Sequence, residues 1–192
     1  QCGIAPFIAV DLEGGQVLRM REQFLPVPSQ EEIGRGGSPG KARQWAADTG
    51  RELTSMGINV NFAPVVDLGS SAERSYGSDP EMVSAYAVQA CQGYAEAGIW
   101  CAIKHFPGIG KVKIDPHIDG DSVAASKDEL MQQDLKPFAV IIRQIPADAM
   151  FSMVSNVTVP YLDAEDPACV SQTVMTDLLR ETYGYKGLIV SD

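Results

Sequence analysis

Short apolar segments alternate with longer amphipathic segments along this chain, and that alternation limits the folds available to it. The five apolar segments cover 7–11, 58–67, 100–106, 149–156 and 188–192. Near-continuous apolar runs of this length are typical of strands in a parallel sheet that is covered on both faces. Strands that alternate with helical segments predict repeated βα units.

Helical periodicity fills the gaps between these strands. Residues 41–56 form one candidate helix, and residues 80–97 form the clearest one, with Asp79 as its cap and Pro80 in its first position. Apolar residues at spacings of three and four predict the core-facing side of the second helix. They are Val83, Tyr86, Ala87, Ala90 and Tyr94.

Two further helices are expected in the second half of the chain. One follows the Ser126-x-x-Glu129 capping box, and the other runs from a Ser171 cap to a Gly184 stop. The first of these two has a predicted buried face of five apolar residues. They are Met131, Leu135, Phe138, Ile142 and Ile145.

Polar residues occupy the carboxyl-terminal ends of the predicted strands. They are Asp11, Asp67, Lys104, His105, Asn156 and Asp192. A (β/α)8 TIM barrel assembles its site from such strand ends, whereas a doubly wound sheet places ligands mostly at one switch point. The sequence therefore predicts an α/β fold of the (β/α)8 barrel type, incomplete, with about five βα units. A doubly wound sheet is the alternative.

The domain organisation and the composition point to one acidic globular unit. Residues 1–192 are expected to be a single barrel domain that is truncated at both ends, because the chain opens almost directly into one strand and stops at the end of another. The formal net charge is −10, from 25 acidic and 15 basic residues, so no nucleic-acid partner is expected. The sequence has no apolar run of about 18 residues, so no membrane span is expected, and no signal peptide is visible.

The four cysteines are Cys2, Cys91, Cys101 and Cys169. None of them forms a C-x-x-C pair, which argues against a structural zinc site. Free thiols are favoured over disulfides in a chain of this size and composition.

Both histidines of the chain lie in one segment, residues 101–121. His117 follows Asp115 by two positions, and an imidazole beside a carboxylate is suited to proton transfer near neutral pH. Two other interpretations are a solvated loop with an incidental ion pair and a metal site that also uses His105. No familiar ligand spacing supports a metal site, and no metal or organic cofactor is expected.

Other charged positions have a functional and a structural interpretation. Asp11 ends a strand before a glycine turn and Arg19, so it is either a carboxylate that accepts hydroxyl groups or part of a charged surface turn. Arg74 precedes a predicted helix and is either a binding or a surface arginine. Asp192 ends an apolar strand, where the desolvation cost of a carboxylate slightly favours a functional role.

Six motifs along the chain form a recognisable set. They occupy 11–19, 61–67, 74–80, 104–108, 115–117 and 187–192. Together, and in this order, they resemble the N-terminal barrel of glycoside hydrolase family 3. The Asp115-Pro116-His117 motif resembles the β-N-acetylhexosaminidase branch in particular. The motifs span nearly the whole chain, and their combination makes the resemblance specific.

The resemblance implies a retaining glycosidase domain that removes terminal β-linked N-acetylglucosamine, with peptidoglycan or muropeptide fragments as its expected carbohydrate partner. By position, Asp192 matches the nucleophile of the family, His117 matches the acid/base, and Asp115 matches the partner of that histidine. Five residues match its substrate-binding positions. They are Asp11, Arg19, Arg74, Lys104 and His105.

Several alternatives remain beside this interpretation. A broader β-glucosidase of the same family and a non-catalytic sugar-binding barrel are the two rivals. Ile109 stands where the branch commonly has histidine, and Pro116 stands where it has serine, so the loop conformation and the preferred aglycone are open. Both a cytoplasmic and an exported location fit the branch, and the oligomeric state is undetermined.

Overall fold

The computed structural model describes residues 3, 5–19, 22, 26–70, 73–110, 112–114, 121–123 and 126–192. The strands are β1 Ala9–Val10, β2 Leu12–Gly14, β3 Val17–Leu18, β4 Val60–Asn61, β5 Trp100–Phe106, β6 Val112–Ile114, β7 Asp121–Val123, β8 Met150–Val154, β9 Thr158–Val159, β10 Asp163–Pro167 and β11 Leu188–Ser191. The helices are α1 Gln30–Arg35, α2 Pro39–Ser55, α3 Pro80–Glu96, α4 Lys127–Glu129 and α5 Lys136–Gln144, with π-helical segments at Leu130–Asp134 and Thr173–Thr182.

Five strands form one parallel sheet in the order β1-β4-β5-β8-β11. This order follows the chain without reversal, and helical segments connect each strand to the next. A doubly wound sheet would reverse its order at a switch point. The topology therefore confirms the predicted (β/α)8-type sheet and excludes the doubly wound alternative.

Side chains along β5 alternate between the two faces of the sheet, as the period of a strand requires. Cys101 and Ile103 pack into the main core, which includes the buried side of α3. Ala102 faces the other way and packs with Val60 and Phe151. The predicted core residues of α3 are all buried.

The predicted helix ends are confirmed. Asp79 accepts a hydrogen bond from the backbone N–H of Met82 at 2.7 Å, and Ser171 accepts one from Val174 at 3.2 Å. Ser126 and Glu129 form the reciprocal capping box. Gly184 has a φ of +70°, in the left-handed region that favours glycine after a helix.

The prediction of the buried face of the helical segment after Ser126 is partly wrong. Met131 is 39% exposed and Ile142 is only half-buried, whereas Leu130 and Ile141 are fully buried. The cause is the π-helical segment, in which Leu135 N–H donates to Leu130 C=O, five residues earlier, at 2.9 Å. A π turn holds more residues than an α turn, so it rotates the buried face relative to an ideal helix.

A second sheet has the order β10-β9-β7-β6. Its strands β6 and β7 pair in antiparallel register from Val112↔Val123 to Ile114↔Asp121. Strand β7 also pairs with β9, which follows the carboxyl end of β8. The predicted catalytic pair Asp115 and His117 falls between β6 and β7 and lies outside the described residues.

Two findings bear on the composition. Cys91, Cys101 and Cys169 are free thiols, as predicted, while Cys2 lies outside the described residues. Within the described ranges, no helix combines the length and the apolar character needed to cross a bilayer.

Candidate active site

The carboxyl ends of the parallel strands bring charged side chains together, as their positions in the sequence predict. Asp11 follows β1, Lys104 and His105 lie in the last part of β5, and Asp192 follows β11. Arg74 reaches the same place from the connection between β4 and α3. Four of the five predicted binding residues therefore meet in one network of hydrogen bonds and ion pairs. They are Asp11, Arg74, Lys104 and His105.

Glu13 is the carboxylate that links the two cations of this network. Its Oε2 and Oε1 accept from Nε and Nη2 of Arg74, each at 2.8 Å. Lys104 Nζ lies 2.6 Å from Oε1 of the same carboxylate and 2.9 Å from Oδ1 of Asp11. The side chains of Glu13 and Lys104 are only 1% and 2% exposed, whereas that of Asp11 is 41% exposed.

The charge of Glu13 survives burial because two cations surround it. Burial alone would raise the pKa of this carboxyl. The hydrogen bonds and charges of Arg74 and Lys104 outweigh burial and hold the pKa below its ordinary value. The buried part of the site is therefore an ion-paired cluster, in which each charge has a partner.

The glycine turn after Glu13 fixes this carboxylate in place. Gly14 has a φ of +94°, and a Cβ at this position would lie 2.2 Å from the carbonyl oxygen of Pro28. Only glycine fits such a position without displacement of the backbone. The turn lets β2 and β3 form a hairpin, which places the backbone N–H of Arg19 at 3.3 Å from the carbonyl oxygen of Asp11.

Asp67 and His105 extend the network on the other side of Arg74. His105 Nδ1 lies 2.7 Å from Asp67 Oδ2, and His105 Nε2 lies 3.3 Å from Arg74 Nη2. Oδ1 of Asp67 also accepts from the backbone N–H of Ile109 at 2.8 Å. The Asp67 carboxylate thus holds both a ring at the end of β5 and the loop that continues from it.

Asp192 belongs to the same edge of the sheet. Its backbone N–H donates to the carbonyl oxygen of Val154 at 3.0 Å, which continues the β8–β11 pairing. The hydrogen bonds to Glu13 are the main cause of the raised pKa of Arg74, and the charges of Glu13, Asp67 and Asp192 add to the increase. The Asp192 carboxylate is therefore close enough to act on the Arg74 guanidinium, and its side chain is exposed to solvent.

Arg19 is the predicted binding residue that the network does not include. Its side chain is exposed and forms no hydrogen bond or ion pair with the part of the chain that the structure describes. Its backbone bond to Asp11 nevertheless keeps it beside the site. Asp115 and His117 lie outside the described residues, so their predicted roles stay predictions.

Glu13 and Asp67 are the two residues that sequence reasoning did not assign to the site. No pattern in the sequence assigns a role to Glu13, whose side chain is 1% exposed in the structure. The available signal was its place between buried Leu12 and a glycine at the end of a strand. The sequence predicts Asp67 only as a polar residue at a strand end, and that position is also the signal that could have placed it in the site.

The described residues contain no group of three His, Cys, Asp or Glu side chains arranged to hold a metal ion. The metal interpretation of Asp115, His117 and His105 involves residues outside that set. The described site is instead an arrangement of donors and acceptors, with carboxylates that accept and cations that donate. Such a surface is suited to a ligand rich in hydroxyl groups.

Comparison with known proteins identifies the relatives of this fold. Beta-hexosaminidase A of Pseudoalteromonas piscicida is 36% identical over an alignment of 208 positions, gaps included, which covers 97% of this chain and 34% of that protein. Beta-hexosaminidase LpqI of Mycobacterium tuberculosis is 36% identical over 185 residues, covering 93% of this chain and 46% of that protein. The solved family 3 β-N-acetylglucosaminidase of Paenibacillus sp. superposes with a TM-score of 0.90 at 33% identity, covering 98% of this chain and 37% of its own.

The chain thus spans between a third and a half of the length of these relatives. Residues 1–192 match the sequence model of the glycosyl hydrolase family 3 N terminal domain. Because that match covers the whole printed chain and the fold superposes closely on a solved member, the chain belongs to glycosyl hydrolase family 3.

Proposed function

We propose that the protein containing this chain is a retaining glycosidase that removes terminal β-linked N-acetylglucosamine. The observation that carries the proposal is the meeting of Asp11, Arg74 and Lys104 with the charge of Asp192 at the carboxyl edge of a barrel-type sheet. Relatives of similar sequence are named beta-hexosaminidases, which supports the same class of substrate.

Asp192 is assigned as the nucleophile. In a retaining glycosidase a carboxylate attacks the anomeric carbon and forms a covalent glycosyl-enzyme, which water then hydrolyses. The charge of Asp192 contributes to the raised pKa of Arg74, which supports a position for this carboxylate beside the binding cations.

His117 is assigned as the acid/base, with Asp115 as its partner. In the first step, protonated His117 gives its proton to the leaving oxygen while the bond from that oxygen to the anomeric carbon breaks. In the second step, neutral His117 takes a proton from water as the oxygen of that water attacks the anomeric carbon and releases Asp192. An imidazole has an ordinary pKa of about 6.5, so both forms are accessible near neutral pH.

The ion-paired cluster is assigned to sugar binding. Lys104 and Arg74 donate to hydroxyl or carbonyl oxygens, and the half-exposed carboxylate of Asp11 accepts from hydroxyl groups. Arg19 and His105 belong to the same predicted binding set. Because Glu13 holds both cations in place, the donors are oriented before the sugar arrives, which reduces the entropic cost of binding.

Hydrolysis of an aryl β-N-acetylglucosaminide by the full-length protein is the direct test. Replacement Asp192→Ala should lower kcat by about 10³-fold or more, because the covalent step loses its nucleophile. Asp48→Ala is the matched control, since Asp48 is an exposed acid paired with Arg51 on helix α2. Equal turnover by the wild type and the Asp192→Ala variant would contradict the assignment.

A trapping experiment tests Asp192 separately. A fluorinated glycosyl label that forms the glycosyl-enzyme quickly and releases it slowly should leave one sugar on the peptide that contains residue 192. Mass spectrometry of the digested protein locates the label. A sugar on another carboxylate would contradict the role of Asp192 while leaving the glycosidase assignment in place.

Substrate comparison separates the proposal from its rivals. A β-glucosidase would hydrolyse the aryl glucoside as well as the N-acetylglucosaminide, and a sugar-binding barrel would bind without turnover. Release of N-acetylglucosamine from purified muropeptide fragments tests the expected natural substrate. A full-length protein that binds N-acetylglucosamine but never hydrolyses its aryl glycoside would overturn the catalytic proposal.

A further inference from the structure

The imidazole of His105 has two partners of opposite hydrogen-bonding character. Nδ1 lies 2.7 Å from a carboxylate oxygen of Asp67, which can only accept a hydrogen bond when ionised. Nε2 lies 3.3 Å from Nη2 of Arg74, which can only donate. Nδ1 must therefore carry the ring proton and Nε2 must be bare, so the two contacts select the neutral Nδ1–H tautomer.

We propose that Asp67 is a positioning residue that holds His105 in this tautomer, so that Nε2 accepts an N–H of Arg74 and fixes the guanidinium in the site. The effect of this tautomer on catalysis rests on the proposed function, whereas the tautomer itself does not. The sequence resemblance gave His105 a direct contact with the sugar. The geometry adds a second role for His105, the orientation of Arg74.

The Asp67 carboxylate is rigid enough for this role. Its side chain is 1% exposed and that of His105 is 4% exposed. Both carboxylate oxygens lie 3.3 Å from the backbone N–H of His105, and Oδ1 also accepts from Ile109 at 2.8 Å. The backbone donors of His105 and Ile109 therefore restrain the carboxylate beside Nδ1.

Arg74 is consequently held from two directions. Glu13 accepts from Nε and Nη2, and His105 accepts from the same Nη2. These contacts use one N–H of Nε and both N–H bonds of Nη2, since a guanidinium has five donors in a fixed fork. The N–H bonds of Nη1 have no acceptor among the described residues, and the side chain is 31% exposed, which leaves them for oxygens of a ligand.

The tautomer can be read from ¹⁵N chemical shifts of the full-length protein labelled at histidine. We expect His105 to show a protonated Nδ1 and a bare Nε2 at neutral pH, with its signals assigned by their loss in His105→Gln. This measurement needs neither turnover nor a ligand. A wild-type ring that is protonated at Nε2, or at both nitrogens, would overturn the proposal.

The Asp67→Asn variant tests the cause. Ile109 donates to Oδ1 and the His105 ring lies against Oδ2, so an amide at position 67 whose oxygen keeps the Ile109 bond turns its NH2 group toward Nδ1. We therefore expect the Nε2–H tautomer to appear. Because Arg74 then loses an acceptor, kcat/KM should fall, mainly through KM, by about 10- to 100-fold, the range known for carboxylates that orient metal-binding histidines. A variant that keeps only the Nδ1–H tautomer would contradict the role of Asp67.

Asp163→Asn is the matched control. Asp163 also accepts from one side chain, Ser171, and from two backbone N–H groups, Glu165 and Asp166. The same chemical change there should leave both the tautomer and kcat/KM unchanged. If the wild type shows the Nδ1–H tautomer but no hydrolysis, the proposed function fails and the tautomer assignment stands.

Discussion

The two ends of the parallel sheet are built from opposite kinds of side chain. At the amino end, the rings of Phe7, Trp100 and Phe151 meet edge to face, with centroids 5.1 to 5.5 Å apart, and Phe7 is 51% exposed. At the carboxyl end, Glu13 and Lys104 are charged and almost fully buried. Aromatic rings thus pack against one another at one end, while ions are enclosed at the other, against the usual preference of charged groups.

This contrast separates stability from function. Apolar contacts at the amino end stabilise the sheet without any need for exact charge placement. Burial of ions at the carboxyl end has a desolvation cost, and a protein with well-packed apolar residues in their place would often be equally stable. In barrels of this kind, the carboxyl end carries the chemistry and the amino end carries stability. Four predictions test this division, in order of decreasing effect.

The largest effect is expected from Glu13→Ala. It leaves Lys104 and Arg74 without their shared counter-charge, and breaking a buried pair costs about 3 to 5 kcal/mol. Glu81→Ala is the control, because the Glu81–Lys136 pair is exposed and pairs of that kind contribute about 1 kcal/mol at most. Urea unfolding of both variants measures the difference. Similar losses for the two would show that burial is not what distinguishes the carboxyl end.

Phe151→Ala tests the amino end. Removal of a largely buried aromatic ring should lower the free energy of unfolding by about 3 kcal/mol. The kcat/KM of the folded enzyme, measured well below its melting temperature, should stay within about twofold, because the ring touches no group of the ion-paired cluster. A large loss of kcat/KM without loss of stability would break the division between the two ends.

Acidification should remove the part of the free energy of unfolding that the ionised Glu13 contributes at the carboxyl end. The pKa of Glu13 is held below its ordinary value of 4.5, so the stability contributed by its charge is complete above about pH 4.5 and is lost as pH falls through the lower folded value. The advantage of the wild type over Glu13→Gln in the free energy of unfolding should therefore shrink with acidification. An advantage that stays constant between pH 6 and pH 2 would contradict the assigned ionisation.

Ser152→Ala is the smallest of the four changes and lies between the two ends. The Ser152 side chain is fully buried in β8, and its hydroxyl has no hydrogen-bond partner in the described part of the chain. Removing a buried, unsatisfied hydroxyl should raise the free energy of unfolding by about 1 kcal/mol. A thermal melt measures the gain, and a decrease in stability would indicate a partner for that hydroxyl.

The fold was predictable where a pattern is local. Strand β5 was predicted at 100–106 and occupies Trp100–Phe106, and the helix predicted at 80–97 occupies Pro80–Glu96. Apolar spacing and helix caps depend on residues only a few positions apart, so both can be recognised in a single sequence. The buried face of the helical segment after Ser126 was predicted less well, because hydrogen bonds of the π turn, and not the residue pattern, set its rotation.

The site was predictable only in part. Strand-end positions indicated Asp11, Lys104, His105 and Asp192, because parallel strands end at a common edge. The contacts that connect them are long-range: Glu13 and Arg74 are 61 positions apart, and Asp67 and His105 are 38 apart. A carboxylate buried between two cations looks like a surface residue in sequence, since its partners are not neighbours along the chain.

Asp67 also marks a natural boundary for protein engineering. It anchors the backbone of Ile109 to the sheet, and at Gly110 a Cβ would lie 2.0 Å from the carbonyl oxygen of Leu68, so the chain leaves the barrel through a gap that only glycine fits. A loop from another enzyme grafted after position 110 would leave these attachments intact. A graft that starts at Phe106 would replace both attachments, and would disturb the contact of Asp67 with His105 together with the exchanged loop.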